Sequence, residues 1–334
     1  MDKNVSIYWI RQDLRLYDNP ALKAAVNNGA IVPIYILDDI NSGEHKLGGA
    51  SRIWLHHSLE KLNKQFKNKL HFFNADPLQV ISEICETEKI YKVYWNRVYE
   101  PWCIQRDKKI KETLNLKGIE TNSFNGSLLW EPWEVLKNDG TPYRVFTPYY
   151  RRGCLNAVGP RIPTKAPQKI QYYEFQKIKS LDIESLNLLP THNWKNKIIK
   201  KWNVGEKAAE QRLEEFISFE LNGYKEGRNF PNKKNVSRLS PHLHWGEISP
   251  NTIWHKISNL QHLEINNFED TDTFLSEMGW REFSYYLLFY FPDLPRKNLQ
   301  KKFDNFSWDK NSLFLKAWKS GLTGYPIIDA GMRE

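Results

Sequence analysis

Apolar and polar positions along residues 1–125 fall into two alternating periods. The runs "VSIYWI", "AIVPIYIL", "LHFF", "KVYW" and "IETNSF" are short and rich in β-branched and aromatic residues, and they predict five strands. The stretches between them carry helix signals. Asn19-Pro20 places an N-cap ahead of a proline at the first helical position, and Gly29 stops that helix. Asp76-Pro77 starts another in the same way, and "RDKKIKETL" lies on the solvent face of a third around 104–117. Strand–helix alternation predicts parallel strands with right-handed crossovers, a Rossmann-like, doubly wound α/β domain. Neither GxGxxG nor GxxxxGK[ST] follows the first strand, so no ordinary dinucleotide or P-loop site is expected there.

From 126 to about 200 the periodicity weakens, and prolines at 132, 142, 148, 160, 163, 167 and 190 punctuate the chain. Its many aromatics predict a connector folded over the surface. After 200 the strand pattern disappears. "VGEKAAEQRLEEFISFEL" has helical spacing, with Ala208, Leu213, Phe216, Ile217 and Leu221 as its apolar stripe. Ser240-Pro241 and Ser249-Pro250 read as two further capped helix starts. The expected division is 1–130 α/β, 131–200 connector and 201–334 all-α.

Composition narrows the classes. The 334 residues are 40% hydrophobic and 26% charged, as in ordinary globular chains. No apolar run approaches the ~20 residues of a membrane span, and "MDKNVSIYWI" lacks the apolar core of a signal peptide. Cys85, Cys103 and Cys154 are odd in number and share no CxxC spacing, so no disulfide framework and no zinc site is indicated and a reducing, cytoplasmic setting is expected. The net charge of +9 is concentrated in "KNKIIKK", "YKEGRNFPNKKNVSR" and "RKNLQKK", all in the C-terminal half. Basic residues interleaved with aromatics suit a polyanion such as nucleic acid, and 13 tryptophans supply stacking surface.

Four stretches carry candidate chemistry. In "RQDLRLYDN", Arg11, Asp13, Arg15 and Asp18 alternate in charge and by physics alone read as a surface ion-pair cluster. In "NVSRLSPHLHWGEISP", Ser237, Arg238 and Ser240 precede a helix and make an anion pocket, with Ser240 as N-cap. In "TFLSEMGWREFSYYLLFYF", Glu277, Trp280, Arg281 and Ser284 share one face of a mostly buried helix. That face reads either as a buried Glu277–Arg281 register pair or as the lining of a site for a flat ligand. In "TGYPIIDAGMR", a turn enters a helix on which Asp329 and Arg333 form an i,i+4 pair.

Taken together, in this order and spacing, the four stretches resemble the DNA photolyase/cryptochrome family, and "EMGWREFSYYLLFYFP" is most similar to bacterial class I cyclobutane pyrimidine dimer photolyases. The resemblance implies an α/β antenna domain and a helical domain that holds FAD. Residue by residue it implies FAD contacts at Tyr224, Val236, Ser237, Arg238, Leu239, Ser240, Phe274, Glu277, Arg281 and Ser284. It also implies dimer contacts at Arg228, Glu277 and Trp280, and a surface electron-transfer tryptophan at Trp308 in "NFSWDKN". Val236 stands where some relatives have Thr. The implied activity is light-driven splitting of pyrimidine dimers in damaged DNA by a monomeric carbon–carbon lyase, without a metal. The alternatives are a cryptochrome-type photoreceptor, a (6-4) photolyase or an inactive fragment.

Two departures from the family pattern carry expectations. Trp102 and Cys103 in "YEPWCIQRD" replace an Asn-Glu pair of folate-binding relatives, which leaves the second chromophore open between methenyltetrahydrofolate, a deazaflavin and none. The chain also stops at Glu334, before the family's Thr-Gly-Trp-x-His-Asn-Arg helix. It is therefore expected to be the front part of a longer protein, with an incomplete FAD domain that binds FAD weakly.

Overall fold

The computed structural model describes residues 4–191, 194–262 and 268–333, so Glu334 and the expectation attached to it lie outside the described residues. The α/β part runs β1 (Val5–Ile10), α1 (Pro20–Asn28), β2 (Ala30–Leu37), α2 (Gly49–Gln65), β3 (His71–Asn74), α3 (Pro77–Glu88), β4 (Lys92–Asn96), α4 (Pro101–Leu116) and β5 (Glu120–Phe124). The strands form one parallel sheet in the order β3-β2-β1-β4-β5. The expected caps are present. The Asn19 side chain accepts from the Leu22 amide at 3.0 Å, and Asp76 accepts from the Leu78 amide at 2.7 Å.

Alternation along the strands separates two cores. Tyr8 and Ile10 point with Tyr35 toward Leu22 of α1, Leu55 and Leu59 of α2, and Phe66 just after α2. Ile7 and Trp9 point with Val32, Ile34 and Trp95 toward Ile81 and Ile84 of α3 and Ile110 and Leu114 of α4. Burying both faces explains why the central strands read as nearly continuous apolar runs. Tyr172 adds to β2 where β3 does not reach, with the Ile31 amide donating to Gln171 at 2.8 Å and the Tyr173 amide to Ile31 at 3.0 Å. Ile183, Leu186 and Leu188 then cover the first core.

The helical part continues with α5 (Lys195–Lys201), α6 (Glu206–Glu215), α7 (Tyr224–Gly227), α8 (Ser240–His244), α9 (Pro250–His262) and α10 (Phe268–Tyr290). Leu213, Phe216 and Leu221 of the expected stripe are fully buried, whereas Ala209 takes the place expected for Ala208. The shift follows from helical spacing, since Ala209, Leu213 and Phe216 stand at i, i+4 and i+7 on one face, whereas Ala208, five residues before Leu213, lies about 140° round the helix. Beyond α6 the turns widen, and the Leu221 amide donates to Phe216 at 2.8 Å. These residues pack with Ile253 and Ile257 of α9, Phe274, Met278 and Phe283 of α10, and Tyr149 and Tyr150 of the 126–200 segment.

Compactness divides the chain into Met1–Pro292 and Asp293–Glu334. The second unit contains α11 (Ser312–Lys319) and α12 (Pro326–Arg333). Asp329 accepts from the Thr323 and Gly324 amides and the Thr323 hydroxyl at 2.7, 3.0 and 2.7 Å, while Arg333 donates to the Gly321 carbonyl at 2.7 Å. The expected Asp329–Arg333 pair is thus replaced by two separate ties to the preceding turn, because the turn's free amides and carbonyl lie closer at hand. Among the described residues, no helix is long and apolar enough to cross a membrane.

Candidate active site

The loop after β1 is not a surface ion-pair cluster: Arg11, Asp13, Arg15 and Asp18 are all buried. Asp13 accepts from the Tyr8 hydroxyl at 2.8 Å, the Arg11 amide at 2.7 Å and the Asn96 side chain at 2.6 Å. Arg15 donates to the carbonyls of Asp18, Gly126 and Gly246 at 2.8, 2.6 and 2.9 Å. Asp18 accepts from Arg161, the Ser249 hydroxyl and, at 2.9 Å, the Thr164 amide. The alternating charges therefore join the sheet to the connector and to the helical part. Periodicity could not reveal this, since every partner except Tyr8 and the loop's own backbone is remote in sequence. Gly246 has φ +64°, and a Cβ there would meet the Gln12 carbonyl oxygen at 2.1 Å, so this junction admits only glycine.

The strand order reverses between β1 and β4, where open α/β sheets form ligand crevices at the carboxyl ends of their strands. A cleft of about 90 Å³ lies there, lined by Trp9, Tyr35, Asp38, Trp102, Cys103 and Arg106 among others. The Arg106 guanidinium lies 5.1 Å from the Trp9 ring and 5.0 Å from the Trp102 ring, and it pairs with Asp38 at 3.0 Å. Burial pushes the Cys103 thiol well up, so this cysteine is an inert wall. Trp102 and Cys103, the residues that depart from the folate pattern, both line this cleft.

In the helical part, Tyr224 and Phe274 meet at 5.4 Å, and Arg228 lies 5.4 Å from the Tyr224 ring. Arg228 pairs with Glu277 at 2.5 Å, and both remain partly exposed. The expected Glu277–Arg281 pair is absent. Arg281 instead pairs with its neighbour Glu282 at 2.8 Å and lies 4.9 Å from the Tyr285 ring. Charge pairing across α7 and α10 has displaced the helical i,i+4 pair, because Arg228 reaches the Glu277 side of α10 from another helix. Trp280 is 46% exposed, enough to leave stacking surface open. Phe146 stacks on it at 3.8 Å and 13°, and Tyr150 stacks on Phe146 at 5.5 Å and 8°. Gly279 permits this approach, since a Cβ there would lie 2.5 Å from the Tyr150 ring. Ser284 is exposed on the same face as Trp280 and donates to the Trp280 carbonyl at 2.9 Å.

Ser240 does not cap α8. The residue before the helix is Leu239, which is buried, and Ser240 is already helical and exposed. Ser237 accepts weakly from the Leu239 amide at 3.4 Å, and its carbonyl accepts from Arg212 at 2.9 Å. Arg238 adopts φ +52° and lies 4.2 Å from the Trp202 ring, beside a cleft of about 160 Å³ that Arg212 and His242 also line. Val236 is exposed, and Trp308, in the second unit, is 75% exposed with Phe306 at 4.8 Å.

Sequence reasoning missed Phe146, which no local pattern distinguishes, and Glu282, which sits inside the quoted "WREF". Glu282 is fully buried and accepts from the Leu129 amide at 2.7 Å and from Arg281. Desolvation pushes its carboxyl up from an ordinary 4.5 to about 7, against the lowering pull of Arg281 and the amides. The folded state therefore holds a proton that the unfolded state releases. Stability from this group is fully present below pH 4.5 and is lost as pH rises to about 7. The loss amounts to about 3 kcal/mol. We expect Glu282→Gln to flatten the unfolding free energy between pH 5 and 7.5 relative to the parent chain, as measured by urea titration. An unchanged pH slope in the variant would contradict the assignment.

An α/β layer with a switch-point cleft, joined to helices that present an ion-paired glutamate and a half-exposed indole, defines a two-part α/β-plus-helical protein. Residues 6–168 match the DNA photolyase family model, and residues 274–334 match the FAD binding domain of DNA photolyase. A deoxyribodipyrimidine photo-lyase of Agrobacterium fabrum is 40% identical over 98% of this chain and 68% of its own length. Cryptochrome-1 of Arabidopsis thaliana is 31% identical over 98% of this chain and 50% of its own. The crystal structure of a bacterial class III photolyase from Agrobacterium tumefaciens has a TM-score of 0.93 at 39% identity, covering 100% of this chain and 69% of that one. The chain belongs to the DNA photolyase/cryptochrome family. A close structural match is thus a class III photolyase, and the class I similarity of "EMGWREFSYYLLFYFP" does not extend to a class assignment for the whole chain.

Proposed function

We propose that this protein repairs cyclobutane pyrimidine dimers in DNA, driven by light. The observation that carries this reading is the Arg228–Glu277 pair beside the half-exposed Trp280. A carboxylate fixed by a guanidinium accepts hydrogen bonds from pyrimidine N–H groups, and the indole face stacks on an extruded base. Lys233 and Lys234 are exposed nearby in sequence and hold the phosphate backbone without reading its sequence.

The donor set suits FAD. Arg238 with the hydroxyls of Ser237 and Ser240 presents cationic and polar groups to a diphosphate. Tyr224, Leu239 and Phe274 supply the apolar wall, and Val236 a short exposed side chain. Arg281 and Ser284, with Glu277, would face the ring system from α10. When bound and reduced, the flavin supplies the photoexcited electron that splits the dimer. Trp308 is assigned to electron transfer at the surface. If a second chromophore binds, a deazaflavin or methenyltetrahydrofolate, the switch-point cleft would hold it. Domain boundaries at 130 and 200, a cytoplasmic location and a monomeric state complete the proposal.

The test uses the purified chain with FAD, photoreduced and mixed with an oligonucleotide carrying one thymine dimer, under blue light and in darkness. Light-dependent recovery of thymines is expected. Flavin photochemistry without dimer splitting would replace this reading with a cryptochrome-type photoreceptor, and absence of both would replace it with an inactive fragment whose FAD domain is incomplete.

A further inference from the structure

The "HHSLE" run of α2 places Glu60 four residues after His56 and three after His57, so both imidazoles face the same carboxylate one helical turn on. The two rings are 5.2 Å apart and perpendicular. His57 Nδ1 lies 2.9 Å from Glu60 Oε2, and His56 Nε2 lies 3.8 Å from the same oxygen. Among the described residues this is the group of His, Cys, Asp or Glu side chains whose ligand atoms gather within 4.8 Å of one another.

We propose that His56, His57 and Glu60 bind a divalent transition-metal ion. Ligands about 2.1 Å from a tetrahedral ion stand about 3.4 Å from each other, a spacing that the distances of 2.9 and 3.8 Å bracket. The His57–Glu60 contact at 2.9 Å is also a good imidazole–carboxylate hydrogen bond, and the His56 ring stands 3.8 Å from the same oxygen. Two imidazoles and one carboxylate suit zinc, cobalt(II) or nickel(II) and leave a fourth position for water. The burial gradient fits an entry path. The side chain of His56 is 8% exposed and forms a dry floor, whereas His57 and Glu60 are 29% and 40% exposed and open to solvent. The cysteine count of the sequence pointed away from zinc because this site uses no thiolate. The proposal is independent of the photochemical reading.

The test is a cobalt(II) titration of the whole chain, followed by the visible absorption of tetrahedral cobalt, with zinc competition by equilibrium dialysis. One ion per chain is expected. His57→Ala and Glu60→Gln, on the solvent side of the site and so compatible with folding, are each expected to weaken binding at least about tenfold. His255→Ala, elsewhere on α9, is expected to leave it unchanged. Zinc is also expected to raise the Tm of the parent chain but not of the two variants. Absence of saturable binding, or binding that survives both substitutions, would overturn the proposal.

Discussion

Arg15→Ala is expected to lower the unfolding free energy by about 3–5 kcal/mol, the cost of breaking a buried charged network by removing one partner. Arg15 is 2% exposed, and its guanidinium is the common donor to the carbonyls of Asp18, Gly126 and Gly246. Without it, three acceptors lose their donor, and the junction of β1, the segment after β5 and the helix that precedes α9 loses its centre. A domain's whole stability is about 5–15 kcal/mol, so the variant should melt far below the parent or fail to accumulate. Arg15→Lys should recover little, because an ammonium cannot reach three carbonyls in a planar fork. The measurement is urea unfolding of parent and variants at one pH. A loss below about 1 kcal/mol would mean that water replaces the guanidinium at no cost and that the junction is held elsewhere.

Trp280→Ala is expected to weaken binding of a dimer-containing oligonucleotide about 10- to 100-fold. That range corresponds to a base–aromatic stack of about 1–3 kcal/mol. Affinity for the undamaged oligonucleotide should change little, since the exposed cations of the surface supply it. Trp280→Phe should restore part of the preference. The two affinities are read by fluorescence anisotropy at fixed salt. Equal losses on damaged and undamaged DNA would show that Trp280 only supports Phe146 and the fold. That outcome has a structural basis, because Phe146 already covers one face of the indole at 3.8 Å.

The α/β part was legible because its signals are local. Short apolar, β-branched runs marked the strands, and Asn19 and Asp76 fixed two helix starts through hydrogen bonds that span two or three residues. The exposed face of α10 was legible for the same reason, since Trp280 and Ser284 follow helical spacing. Ser240 was misread because a serine before a proline has the residue type of a cap, whereas the backbone starts α8 one residue earlier than that pattern implies.

By itself, then, the sequence determined the element types, the sheet class and which residues crowd the helical face, all set by backbone propensity and the periodic separation of apolar from polar side chains. Only the tertiary structure decided who pairs with whom. Glu277 met Arg228 rather than Arg281, Glu282 was buried against the Leu129 amide, and the four charges after β1 became an internal junction rather than a solvated cluster. Pairing of this kind depends on the burial and proximity of groups far apart in the chain, as for Arg15 with Gly126 and Gly246. No local period encodes that proximity, because it exists only once the chain has closed on itself.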